Sequence, residues 1–282
     1  MKLLSAEVIR RCFVADPGHL IISSDYDQIE LRIIAALANE TAMIEAAKKG
    51  ESLHKLAAVR LFGIDYLPDQ YKYAKNINFT YAFAGGAETM SKRYGISMGQ
   101  AIELIRDYEE AFPALARYKR KMTETIIQSA LSGGEYKAYK QLRSRMFNFR
   151  RDTAEGKAAR ATIQRELKRL CHGKTGYVEL FTGRQILVNA DKPYAAINYN
   201  VQGTAAEILK LALLRMMDDE ELEPTVLLPV HDEILGQAPE EEAQYFADRY
   251  AEIMTTEFMG VPLTASGKVY GKSWGDGYRK AA

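Results

Sequence analysis

Apolar positions keep a helical period through the middle of the chain and turn to short, strand-like runs toward its ends. Leu20, Ile21 and Ile22 read as a buried strand over residues 20–24, and Ile29, Ile33, Ile34 and Leu37 predict a helix over 28–38. An amphipathic helix follows over 52–61, stopping near Gly63. Another opens at Pro68-Asp69 and closes at Gly85-Gly86. Helical spacing continues over 97–112 and 113–131, until Ser132-Gly133-Gly134 breaks it. Beyond the break, Asp152 and Glu155 offer a cap for a helix reaching about Leu170, with Ala159, Ile163, Leu167 and Leu170 as its apolar stripe.

From Gly176 the texture changes. Residues 177–181 and 185–188, joined through Thr182-Gly183-Arg184, predict a hairpin, and a long helix follows over 195–219. A second hairpin is expected from 225–228 and 234–237, turning at Pro229-Val230-His231 with Asp232-Glu233 near its tip. A helix over 240–258 and a strand near 263–269 complete the pattern. Strands at both ends with helices between predict an α+β fold, a helical insertion inside a small antiparallel sheet.

A chain of 282 residues with 47% hydrophobic and 27% charged residues is expected to be globular rather than disordered. No apolar run reaches membrane-spanning length, and Glu7, Arg10 and Arg11 interrupt any signal-like start, so no membrane partner is expected. Cys12 and Cys171 provide neither a disulfide framework nor metal-ligand spacing, which makes a reduced, cytoplasmic protein the default expectation. The net charge of +1 conceals an asymmetry. Residues 132–174 carry twelve Lys/Arg against four acids, so the segment holds +8 and the rest −7. Basic blocks are ordinarily solvated surface; this contrast points to a nucleic-acid contact or a mobile arm.

Two features carry chemistry. Asp25 follows the first buried strand, and Asp232 lies 207 residues later beside a hairpin strand. Alone, each reads as a cap or surface acid. Brought together in a dry site they would repel unless they shared a proton or met a cation, and hard carboxylate oxygens suit Mg²⁺. On the helix opening at Pro68, Tyr71, Lys75, Phe79 and Phe83 form one stripe with Lys72 beside it. Such a stripe is ordinarily core, but a lysine within it offers charge to phosphate beside a ring face for a base.

These residues resemble the DNA polymerases of family A, relatives of bacterial DNA polymerase I. Residues 25–32, Asp-Tyr-Asp-Gln-Ile-Glu-Leu-Arg, are similar to motif A; Lys75-Asn76-Ile77-Asn78-Phe79 to motif B; and Val230-His231-Asp232-Glu233 to motif C. Gln202 to Ile208 resembles the palm helix between B and C, and Gly176 to Glu179 with Gly183-Arg184 a stretch just upstream of it.

The resemblance implies a right-hand polymerase palm with a helical fingers insertion. Residues 1–38 and 199–282 would form the palm, and 39–198 the fingers, including the basic insertion 132–174. It implies two Mg²⁺ ions held by Asp25, Asp232 and the Tyr26 carbonyl, and Lys75 on the triphosphate, with Lys72 a substitute for a family arginine. Phe79 would stack on the incoming sugar and base, and His54 would contact the β-phosphate. Gln28 and Glu30 would line the sugar pocket, with Glu30 a steric gate against a 2′-hydroxyl. Phe83 replaces a family tyrosine. Asn198, Gln202 and His231 would face the minor groove of primer–template DNA, where near-degenerate acceptors allow donors to sense pairing geometry without reading sequence.

The resemblance begins shortly before motif A, so the thumb is expected to be absent. The chain is then expected to be a fragment or one piece of a split enzyme, partnered by a separate thumb- or exonuclease-containing polypeptide and working in a bacterial cell or encoded by a phage. Arg160, Lys168 and Arg169 of the basic segment are the expected grips on DNA phosphates. Two other readings stay open: a non-catalytic nucleic-acid-binding module derived from a polymerase, and an enzyme like the single-subunit RNA polymerases. The joint presence of Asp25, Lys75 and Asp232 argues against the first, and Glu30 with Phe79 against the second.

Overall fold

A computed structural model describes residues 6–82, 85–150 and 152–278. In chain order its elements are α1 (Ala6–Arg10), β1 (His19–Tyr26), α2 (Ile29–Ala38), α3 (Thr41–Lys48), α4 (Leu53–Phe62), α5 (Pro68–Ala82), α6 (Ala87–Tyr94), α7 (Met98–Ala111), α8 (Pro113–Ala130), α9 (Gly133–Phe147) and α10 (Ala154–Cys171). Then come β2 (Thr175–Glu179), β3 (Gln185–Asn189), α11 (Ala195–Met217), β4 (Val226–Val230), β5 (Glu233–Pro239), α12 (Ala243–Met254), β6 (Thr256–Phe258), β7 (Val261–Leu263) and β8 (Ala265–Gly271). The fold is α+β. The chain divides into two compact units: one takes residues through Leu37, Thr41–Leu53 and the chain from Thr204, and the other takes Ala38–Glu40 and His54–Gly203.

The first unit is built on an antiparallel sheet in the order β4-β5-β1-β8. Strand β1 is central, which is why Ile21, Ile22, Ser23 and Ser24 are all buried although their side chains alternate between faces. Helix α12 covers one face with Phe246, Ala247, Tyr250 and Met254. Two glycines permit its close approach. A Cβ on Gly236 would lie 2.3 Å from the Tyr250 hydroxyl, and one on Gly267 2.3 Å from the Ala247 carbonyl oxygen. A second cluster gathers Ile21, Leu235 and Trp274, with Phe13 edge-on to the Trp274 ring at 5.6 Å.

Two boundaries differ from the sequence pattern here. The strand expected to turn at 229 continues to Val230, and the turn is His231-Asp232. The helix expected to reach 258 ends at Met254, where a β6–β7 hairpin begins. Its corner needs positive φ at Met259 and Gly260, a local demand that apolar periodicity does not register.

The second unit is helical apart from the β2–β3 hairpin, which packs on α8 through Gly176, whose Cβ would meet the Ile126 carbonyl at 2.4 Å. Its core packs Tyr81, Tyr108 and Phe112 as tilted rings, with centroids 4.8 and 4.9 Å apart. The break expected at Ser132-Gly133-Gly134 is present, with α8 ending at Ala130, but the same residues also open α9. Glu135 reaches back and accepts from the Ser132 backbone N–H at 3.0 Å and its hydroxyl at 2.9 Å, offsetting the glycine cost in the first turn. Helix α10 is capped by Thr153, whose Oγ1 accepts from the Gly156 N–H at 3.1 Å; Asp152 is turned away to Arg150 at 2.7 Å.

Candidate functional site

In the sheet unit, β1 and β5 run antiparallel with Asp25 opposite Glu233, which puts Asp232 beside Asp25 at the same sheet end. The Tyr26 N–H donates to the Asp232 carbonyl at 3.1 Å and ties the hairpin tip to the end of β1. The Asp25 carboxyl is pushed up to about 6, first by burial and then by the charge of Asp232, with Lys268 opposing. Burial also raises Asp232. Two carboxylates that resist ionising side by side are a place for a cation.

The neighbouring acids have other work. Asp27 accepts from the Thr264 and Ser266 hydroxyls, each at 3.2 Å, while its carbonyl takes Arg32 Nε at 2.8 Å. Glu233 is buried and accepts from the hydroxyls of Ser23 and of Tyr270. Of the two acids at the end of β1, Asp25 thus lies beside Asp232, and Asp27 is held by hydroxyls. Residues Gln28 and His231 flank the pair with positive φ, 55° and 58°. The Gln28 side-chain oxygen is buried with no partner among the described residues. Tyr26 buries its ring and donates its hydroxyl to the Met254 carbonyl at 2.7 Å, so only its backbone is left for a ligand role. Glu30 lies half-buried in the first turn of α2.

Sequence reasoning missed Lys268. Its Nζ stands 3.9 Å from Asp25 Oδ2, delivered by β8, where it lies opposite Ser23. Only strand register brings it there, and no local pattern signals it.

In the helical unit, α5 buries Ala74, Ile77, Asn78 and Tyr81, leaves Lys75 exposed and Phe79 half-buried. The lysine therefore lies off the core face, as charge requires. Lys72 pairs with Asp69 at 3.1 Å and lines a shallow cavity with Tyr73, Asn76 and Tyr94, on a helix face adjacent to that of Lys75. His54 is buried; its Nδ1 lies 3.1 Å from Asn78 Nδ2 and its ring 5.1 Å from that of Phe79. Burial, then Lys75, pulls its imidazole down to about 4, so the ring is neutral. Phe83 lies outside the described residues. On α11, the Asn198 side-chain oxygen is buried without a partner among the described residues, and Gln202 is exposed.

The three basic-segment residues do not share one role. Arg160 donates to the carbonyls of Met146 at 2.7 Å and Phe149 at 3.4 Å, fastening α10 to the end of α9. Lys168 and Arg169 are exposed and line a cavity with Arg165 and His172.

The profile of DNA polymerase family A matches residues 2–276. The chain belongs to DNA polymerase family A. Among relatives within that family, the DNA polymerase of Mycobacterium phage D29 is 32% identical over 272 residues, 96% of this chain and 37% of that polymerase. DNA polymerase I of Chloroflexus aurantiacus is 30% identical, covering 94% of this chain and 25% of its own length. The thermostable DNA polymerase I of Thermus aquaticus is 28% identical, covering 94% and 28%. The chain spans between a quarter and two fifths of the length of these family A relatives. The same fold is seen in the POL domain of Pol1 from M. smegmatis, solved in complex with DNA primer-template and dNTP. The TM-score is 0.70 at 23% identity, covering 98% of this chain and 44% of that one. Among the described residues, no helix is long and apolar enough to cross a membrane.

Proposed function

We propose that the sheet unit is the palm and the helical unit the fingers of a template-directed DNA polymerase, which adds a deoxynucleotide from dNTP to a primer 3′ end by two-metal transfer. The observation that carries the reading is the pairing of Asp25 and Asp232, 207 residues apart in sequence, at one sheet end where both resist ionisation. The donor set fits magnesium: two carboxylates and the Tyr26 carbonyl are hard oxygens. Two carboxylates and a carbonyl would leave coordination positions of the ion for water and substrate phosphate. Bound there, two divalent ions would favour ionisation of the primer hydroxyl and stabilise the departing pyrophosphate oxygen.

The remaining roles follow from the side chains. Lys75 offsets triphosphate charge, with Lys72 a weaker second cation because Asp69 already engages it. Neutral His54 keeps an N–H for a phosphate oxygen when Asn78 donates to its Nδ1. Phe79 offers a ring to the incoming nucleotide, Gln28 its unpartnered amide oxygen, and Glu30 bulk against a 2′-hydroxyl. Asn198, Gln202 and His231 serve as minor-groove donors to the primer–template.

Primer extension on a defined template tests the reading. Asp25→Asn and Asp232→Asn should each lower extension by at least a thousandfold while the fold is retained. Incorporation of dNTP should exceed that of rNTP. Undiminished extension in either variant overturns the metal assignment, and DNA binding without any incorporation by the parent overturns the enzyme reading.

A further inference from the structure

Helices α8 and α9, both in the helical unit, border a groove of about 670 Å³ that the polymerase roles above do not use. Its walls carry Lys119 and Arg120 from α8, and Tyr139, Lys140, Arg143 and Phe147 from α9. Arg120, Lys140 and Arg143 are exposed, and Phe147 leaves 68% of its surface open. Among the described residues none of the four cations has a carboxylate within ion-pair distance. Lys119 instead sits over the Tyr81 ring at 4.3 Å, and Lys140 over that of Tyr136 at 5.6 Å. Two acids also line the groove, but each already accepts a tyrosine hydroxyl: Glu109 from Tyr81 at 2.9 Å and Glu124 from Tyr136 at 2.8 Å. Burial pulls the Lys119 ammonium below its ordinary value, against Glu109, so an added anion would be favoured there.

We propose that this groove binds single-stranded nucleic acid, with phosphates on Arg120, Lys140 and Arg143 and a base stacked on Phe147. Charge alone would suit any polyanion. The exposed aromatic ring selects a strand whose bases are unstacked, because a duplex keeps its ring faces inside. The volume is that of a small-ligand pocket and admits a nucleotide or two. The inference deepens the polymerase reading by naming where an unpaired template strand would lie, yet its binding test needs no synthesis.

The experiment is fluorescence anisotropy with a labelled oligo-dT of eight residues, a blunt duplex of equal length and a polyglutamate competitor, on the full chain. Lys140→Glu with Arg143→Glu should weaken oligo-dT binding at least tenfold and flatten the log–log salt slope by about 1.4, or 0.7 per phosphate contact. Phe147→Ala should weaken it on the order of tenfold with the slope unchanged. Binding is measured without dNTP, so a failed polymerase reading shows in extension and a failed groove shows here. Parental affinity in both groove variants overturns the proposal. So does equal loss for oligo-dT and duplex, or polyglutamate competition that Phe147→Ala does not alter.

Discussion

At the scale of single residues, Asp25 and His54 are both held away from their ordinary protonation, with opposite consequences. The folded Asp25 carboxyl titrates near 6, above its ordinary value of 3.8. Its ionisation therefore costs stability fully above pH 6, and the cost disappears as pH falls from 6 toward 4. Asp25→Asn should thus melt higher than the parent in metal-free buffer at pH 7–8, with the advantage gone near pH 4. His54 titrates near 4, below 6.5, so its neutral burial favours the fold above pH 6.5 and loses that contribution as pH falls from 6.5 to 4. The full loss is on the order of 3 kcal/mol. In the Asp25→Asn background, where the opposing titration is removed, melting temperature should fall steeply over that window. Nuclear magnetic resonance of the His54 ring should show no titration above about pH 5.5. A ring titrating near 6.5 would contradict its burial against Asn78 and Phe79.

At the scale of elements, two contacts decide how pieces pack. Gly267 brings β8 against α12 closely enough that any Cβ would strike the Ala247 carbonyl, a backbone atom with no rotamer to escape into. Gly267→Ala should cost about 2–3 kcal/mol in urea unfolding, the upper part of the usual overpacking range. A loss below about 0.5 kcal/mol would mean that α12 shifts freely. Arg160 answers the end of α9 by donating to the carbonyls of Met146 and Phe149, so its charge is engaged within the fold. Arg160→Gln should speed amide exchange around residues 146–150 and leave DNA affinity within twofold of the parent. A large loss of DNA affinity with unchanged exchange would restore Arg160 as a phosphate contact.

At the scale of the whole molecule, the charge imbalance is the property that would bear on DNA under the proposed polymerase reading, and Lys168 and Arg169 are the expected grips left exposed on α10. Reversing both to Glu should weaken duplex binding and flatten the log–log salt slope by about 1.8, with dNTP affinity unchanged. An unaltered slope would make that face ordinary solvated surface. Much of this protein was legible in one dimension. Apolar spacing determined that strands flank a run of helices, and the local order of residues around Asp25, Lys75 and Asp232 determined the family. Both depend on near neighbours, and near neighbours are what a sequence displays directly. Helix starts with competing local signals are less legible: at Ser132-Gly133-Gly134 the cap outweighs the glycines, and the cap that the sequence offers to Asp152 falls to Thr153. Tertiary structure alone decided which acids face each other and which are satisfied. Asp27 and Glu233 look as exposed in sequence as Asp25, but strand register hands them hydroxyls from Thr264, Ser266, Ser23 and Tyr270. The same register brings Lys268 to Asp25 across 243 positions. Burial, ionisation and partner choice are set by long-range packing, because the energy of a charge depends on everything around it and not on its neighbours in the chain.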